Sequence, residues 1–357
     1  MTTSCGHTEC GRFDWGEARR AAAVLLKSAY RVDIRKALDP LNDKDFLVIA
    51  QQLADRLAAI SGPLEKAAVQ TAIDAIDFDL ATATRAQAAQ FTRAVNLGIR
   101  NVGQRVAPQV GGVVTADLTE TVGQTKVRAK ARHNWKIDTS FNRTDQAVVR
   151  ALGKMGTWVT DEYGQRAAMA ATSMDRIIAD GVSEGLRAGD IAERLRRQGD
   201  RIAVNQAKNY WQTVALNASN RARNYGHLSS MEDAGVQRYV FLAVMDERTT
   251  EECRMLNEMV FSVGGGLQQF RQLELESQND SDAAERLMPF VQRNGAELYV
   301  APPGGARTVI GHVASPGMGT TSPGSYSNVL PESQLAAAGC SIPPLHHRCR
   351  STLLPDI

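Results

Sequence analysis

A mainly α-helical chain ending in a small C-terminal α/β module is predicted by three features of this sequence. Apolar residues recur at helical spacing through its first two thirds, as at Leu47, Ala50, Leu53, Ala54 and Leu57. After Gly235 the period changes, and residues 238–245 are apolar nearly throughout, as in a buried strand. Between these blocks, turn and cap residues punctuate the chain.

Residues 1–110 read as an N-terminal helical region. Asp14 and Glu17 give its first helix an acidic start, and Asp39 with Pro40 ends it. Asn42 or Asp43 caps a second helix, Gly62 and Pro63 break the chain before a third, and a longer helix spans roughly 82–106. Residues 111–144 open on Gly111 and Gly112 and carry Thr115, Thr119, Thr121, Val122 and Thr125, which predicts a linker with weak structure. Residues 145–235 form a second, basic helical region. It contains a segment over 145–179 broken or bent near Gly153 and Gly156, a short helix from Gly189 and Asp190 to Arg197, and a long helix over about 203–233.

Residues 236–357 form the α/β module. A strand opens it, Thr249 or Thr250 caps a short helix carrying Cys253 and Leu256, residues 259–263 form a second strand, and 351–354 close the sheet before Pro355. Residues 264–335 read as an insertion. It holds a charged helical piece (267–287) and a Gly/Ser/Pro/Thr tract (315–328) with too few apolar side chains to offset ordering entropy, which is expected to be mobile.

Composition narrows the functional classes. With 41 Lys plus Arg against 39 Asp plus Glu, the net charge of +2 demands neither a nucleic-acid nor an acidic partner for the molecule as a whole. Basic charge is local. Residues 186–226 hold Arg187, Arg194, Arg196, Arg197, Arg201, Lys208, Arg221 and Arg223 against Asp190, Glu193 and Asp200, with Tyr210, Trp211 and Tyr225 interleaved. Such a helix could touch DNA phosphates or present a solvated face to an acidic protein partner. Lys126, Arg128, Lys130 and Arg132 form a second basic run. Five cysteines, at 5, 10, 253, 340 and 349, lack the dense even spacing of a disulfide scaffold and point to a reducing compartment. No run of about 18 to 20 apolar residues offers a membrane span, and the polar N-terminus lacks a signal peptide's features.

Cys253, His346 and Cys349 offer two thiolates and an imidazole, the donor set of a structural zinc site, with Asp246, His347, Cys340 or water as the fourth ligand. Closing the 93-residue separation of Cys253 and His346 costs on the order of 4 kcal/mol plus a constant. Structural zinc contributes roughly 10 to 16 kcal/mol, so a metal clip is affordable. The competing reading makes all three packing residues. Asp246 and Arg248 read as a helix cap or as an acid and base pair, and Cys5, His7 and Cys10 as half a metal site or as free terminal thiols. No Walker loop, dinucleotide fingerprint or nucleophile elbow is present.

Four pieces occur in a fixed order: a long helix rich in Ala, Asn and Arg (217–226), a strand, Asp246-x-Arg248-Thr249 followed by Cys253, and Pro343-Pro344 followed by His346-x-x-Cys349-Arg350. This order resembles the Mu F-like family of phage head morphogenesis proteins, over about 180–263 and 340–354. The resemblance implies a non-enzymatic minor head protein of a tailed phage or prophage, made in the host cytoplasm and carried in the virion. Its implied partners are the portal, capsid or scaffold proteins, and it would act in head assembly and in DNA packaging or delivery. It also favours Cys253, His346 and Cys349 acting together as a structural zinc site. A metal-dependent enzyme acting on nucleic acid, with Asp246 or Glu252 as base, and a bare DNA-binding module are the competing classes; an open metal position would favour the enzyme.

Overall fold

The computed structural model describes residues 38–154, 156–202, 207–280 and 282–357. The helix expected to start near Asp14 and the Cys5, His7 and Cys10 cluster lie outside the described residues. Among the described residues six helices come first: α1 (Asp43–Asp74), α2 (Arg85–His133), α3 (Arg143–Leu152), α4 (Gly156–Ser183), α5 (Ala188–Arg201) and α6 (Ala207–Asp233). Then follow β1 (Arg238–Leu242), α7 (Glu251–Leu256), β2 (Val260–Ser262), α8 (Val263–Glu276) and α9 (Ala283–Leu287). Strands β3 (Gln292–Asn294), β4 (Glu297–Val300), β5 (Thr308–Ser315) and β6 (Ser325–Ser327), helix α10 (Glu332–Ala337) and strand β7 (Thr352–Pro355) complete the chain. The mainly α architecture with a small α/β module is therefore the one its periodicity predicts.

Local sequence sets the starts. Asn42 caps α1, its side-chain oxygen accepting from the Lys44 and Asp45 amides. Thr84 and Gln87 make a capping box on α2, as do Asn142 and Asp145 on α3. Packing then overrides two local signals. Pro63 does not break α1, because Leu57, Ser61, Glu65 and Val69 continue one buried stripe on both sides of it. The expected linker is helical as far as His133. Val106, Val110, Val114, Leu118, Val122, Thr125 and Ala129 keep a three-or-four-residue rhythm on the buried face of α2, and tertiary burial outweighs their weak helix propensity. The buried Thr121 and Thr125 hydroxyls donate to the carbonyls of Asp117 and Thr121, and Asn134, at φ 52°, ends the helix in the left-handed region.

Helix α6 is the axis of the core. Nearly every residue over 214–228 is buried, with α1 and α2 against its flanks and β7 and α8 beyond. Three buried polar groups tie these helices together. Lys126 on α2 donates to Asp145 at 2.9 Å, and Asp145 also accepts from the Tyr225 hydroxyl of α6. Glu65 on α1 accepts from Tyr163 and Arg166 of α4, both at 2.6 Å. The Trp211 indole donates to Ser61 at 2.7 Å.

The module contains two antiparallel sheets, β2-β1-β7 and β3-β4-β5-β6. The first is the expected one, with Val240 opposite Leu354 and Val260. The second lies in the insertion and buries Leu298, Val300, Ile310 and Val313. Polar side chains of α7 hold the Gly/Ser/Pro/Thr tract expected to be mobile. Arg254, 4 % exposed, donates to the carbonyls of Ser322 and Gly319, while Glu251 accepts from the Gly317 amide and the Tyr326 hydroxyl. Among the described residues no helix is long and apolar enough to cross a membrane.

His227 of α6 is buried beside His133 and Trp135, and burial, reinforced by the charges of His133, Arg132 and Arg223, pushes its pKa down to about 3. Between that value and the unfolded value near 6.5 the unfolded chain binds a proton that the folded chain refuses, so stability falls as pH drops below about 6.5. From pH 7 to 5 this group should remove about 2 kcal/mol. Urea titrations at the two pH values should show a smaller loss for His227→Gln than for the unmodified chain.

Candidate metal centre

The C-terminal loop is carried by a polar stripe on α6. Thr213, Asn217, Asn220 and Asn224 recur at three- or four-residue steps and so share one face of the helix. Asn224 donates to the Pro343 carbonyl at 3.2 Å, Asn220 to the Cys349 carbonyl at 2.7 Å, and the Asn217 side-chain oxygen accepts from the Arg348 amide at 3.1 Å. Arg223, fully buried, donates to the carbonyls of Arg350 and Ser351 and lies 3.8 Å from the Phe46 ring centre. Burial pushes its pKa down to about 10, opposed by the Asp43 and Cys349 charges. Amides suit this task because each supplies both donors and an acceptor.

The held loop places His346 and Cys349 over α7. Arg348, between them, sits at φ 62°, a left-handed conformation costly for a residue with a side chain and fixed here by Asn217. Cys253 projects from α7. Its sulfur is 3.7 Å from that of Cys349, and the donor atoms of Cys253, His346 and Cys349 all lie within 4.8 Å of one another. Both cysteines are buried, at 1 % and 0 % exposure.

The donor set fits zinc. Two thiolates bound at about 2.3 Å with tetrahedral angles stand about 3.8 Å apart, close to the observed sulfur separation. The His346 Nδ1 is 2.8 Å from the His347 carbonyl, which favours a proton on Nδ1 and leaves Nε2 as the lone-pair donor. Burial pushes the Cys349 thiol up, but hydrogen bonds with Cys253 and His346 and the imidazole charge bring it well below the ordinary value. Cys253, sharing its hydrogen with Cys349 and buried, is raised. Burial lowers His346, and the Cys349 partner more than restores it. A thiolate-forming group in such a cluster is what metal ligation requires.

Among the described residues this is a three-member group. Asp246 is engaged elsewhere. Its carboxylate oxygens each lie 2.7 Å from the Arg350 guanidinium, and one also accepts from the Arg248 amide, as a capping turn does. Burial raises its pKa, and Arg350 with the Arg248 amide outweighs that and holds it low. His347 turns its ring to Phe290, with centroids 4.6 Å apart. Cys340 is buried with its sulfur 3.7 Å from the Ala338 carbonyl, and burial pushes its thiol up to about 12.

The basic residues separate into two sets. Arg196, Arg197, Arg201 and Lys208 are exposed and Arg194 is half-buried, Arg194 pairing with Glu184 and Arg196 and Arg197 with Glu193. Arg221 and Arg223 face inward, Arg221 donating to the Met288 carbonyl, so neither stands on a surface that phosphates could reach. The aromatic residues follow suit, since Trp211 and Tyr225 are core residues. Lys126, Lys130 and Arg132 of the second basic run bond to Asp145, the Ile137 carbonyl and Asp39.

The fold and the cluster define a helical protein whose α/β module joins two distant segments at a Cys/His/Cys centre. Residues 172–271, from within α4 to within α8, match the family described as Phage Mu protein F like protein. The matched segment contains the α6 polar stripe and Cys253, and supports the resemblance read from the order of motifs. Neither the curated proteins nor the solved structures provide a match.

If the stripe positions the centre, Asn220→Leu should leave the Cys349 carbonyl and one Asn224 amide hydrogen without a partner, while Arg223 keeps the Arg350 and Ser351 carbonyls. Each buried orphan costs about 1 to 3 kcal/mol. Thermal denaturation should show a loss of several kcal/mol, whereas Arg196→Ala on the exposed face should change stability by less than about 0.5 kcal/mol.

Proposed function

We propose that this chain is a phage head morphogenesis protein, carried in the virion, that works by binding other head proteins and not by catalysis. The observation that carries the reading is the match of residues 172–271 to the Mu F-like family, which coincides with the helix that builds the module's interior. The portal is the proposed partner, with capsid or scaffold proteins as further neighbours, and DNA packaging or delivery is the process served. In a phage or prophage encoding it, mass spectrometry of purified heads should find the chain as a minor component. Deleting its gene should lower the yield of filled heads. Absence from purified heads together with an unchanged yield would contradict the assignment.

Within that role, Cys253, His346 and Cys349 are proposed to hold a structural zinc ion. The ion would join the C-terminal loop to α7, and α7 in turn grips the insertion through Arg254 and Glu251. Metal analysis of protein purified under reducing conditions should give about one zinc per chain. Cys253→Ser and Cys349→Ser should each lose the metal and lower stability by several kcal/mol. Retention of metal and of melting temperature in both variants would sink the clip.

A further inference from the structure

We infer that the Cys253, His346 and Cys349 centre takes its fourth ligand from a phosphate group held in the adjoining basic pocket, so that the site is closed by a bound ligand and not left open for catalysis. The inference rests on the zinc reading above. A cavity of about 550 Å³ opens beside the centre, and Cys253 and His346 themselves form part of its wall. Arg248, Arg348 and Arg350 also line it, with no aspartate or glutamate among the lining residues.

Charge decides what the cavity would accept. A zinc ion held by two thiolates and a neutral imidazole adds no net charge. The Asp246 carboxylate neutralises Arg350. Among the described residues the Arg348 side chain bonds to neutral groups, the Thr213 hydroxyl at 3.1 Å and the Asn209 carbonyl at 3.2 Å. Arg248 is exposed and has no acidic partner among the described residues. Even with the Glu252 carboxylate beside His346 and Cys349 offsetting one charge, a guanidinium charge stands in excess around a partly enclosed space, where an anion is favoured.

Oxygen chemistry narrows the anion to phosphate. The fourth position of a zinc ion with three protein ligands accepts an oxygen ligand, and guanidinium forks bind phosphate oxygens in bidentate fashion. A phosphate group has enough oxygens to meet the metal and both arginines at once, whereas a carboxylate has only two. The phosphate could be free or could end a DNA strand.

The test uses the full chain loaded with cobalt(II), whose visible spectrum reports coordination number and thiolate ligation. Three probes are titrated: inorganic phosphate, a 5′-phosphorylated oligonucleotide, and the same oligonucleotide without its terminal phosphate. A saturable change in the cobalt bands with either phosphorylated probe, absent with the unphosphorylated strand, supports the inference. A response to inorganic phosphate alone identifies a small-molecule ligand, and a response to the phosphorylated strand identifies a DNA end. The Arg248→Ala/Arg348→Ala double variant should weaken phosphate binding by about tenfold or more, and the Arg248→Ala variant, off the ligand-bearing turn, should leave the phosphate-free cobalt spectrum unchanged. Thiolate-to-cobalt bands that no phosphate probe moves would overturn phosphate as the fourth ligand while leaving the zinc reading intact. Equal phosphate affinity in the double variant would reduce the effect to an adventitious ion only. Failure to bind cobalt at all would overturn both the centre and the inference.

Discussion

The burial of polar groups along α6 is the constraint on which the rest of this structure depends. A helix this deeply enclosed ordinarily carries apolar residues all round. Here Asn217, Asn220, Arg223, Asn224 and His227 are buried instead, and every donor or acceptor left unpaired among them would cost about 1 to 3 kcal/mol. The C-terminal loop supplies partners through the carbonyls of Pro343, Cys349, Arg350 and Ser351. Helix and loop thus require each other. Arg223 extends the dependence to the start of α1, where its guanidinium reaches the Pro40 carbonyl and packs over Phe46.

That dependence fixes the geometry of the Cys/His/Cys cluster. His346 and Cys349 sit on a turn containing a left-handed arginine, which an isolated loop would relax. Asn217 and Asn220 hold the backbone of that turn on a rigid element, and Cys253 comes from a second one. Helix α7 has two faces with two tasks: Cys253 meets Cys349, while Arg254 and Glu251 hold the tract over 317–326. Closing the cluster with a metal would stiffen both contacts together, because they share one short helix.

Much of the fold was legible in the sequence, since helical period, caps and the change of period after Gly235 mark the elements in order. The misreadings share one cause, which is packing against partners distant in sequence. Pro63 and the Thr/Val run after Gly111 look like interruptions until their buried stripes find α6 and its neighbours. The three candidate ligands were found from residue type and spacing, but their mutual approach is a tertiary fact. Arg221 and Arg223 looked like part of a basic face because composition cannot tell a solvated guanidinium from one spent on carbonyls. The amide stripe at 217, 220 and 224 was the available signal, since side chains that both donate and accept, repeated at helical spacing, suit binding to backbone. Arg254 left no such signal, because two of its four carbonyl partners, Gly319 and Ser322, lie far along the chain inside the insertion.

X-ray absorption at the zinc edge of the reduced, metal-loaded chain tests the account most directly, because it counts sulfur and lighter ligands at the ion itself. The account predicts two sulfurs at about 2.3 Å, one imidazole nitrogen near 2.0 to 2.1 Å and a further light ligand. Three or more sulfurs, or a shell of light atoms alone, would contradict it, since neither can be built from Cys253, His346 and Cys349 where α6 and α7 hold them.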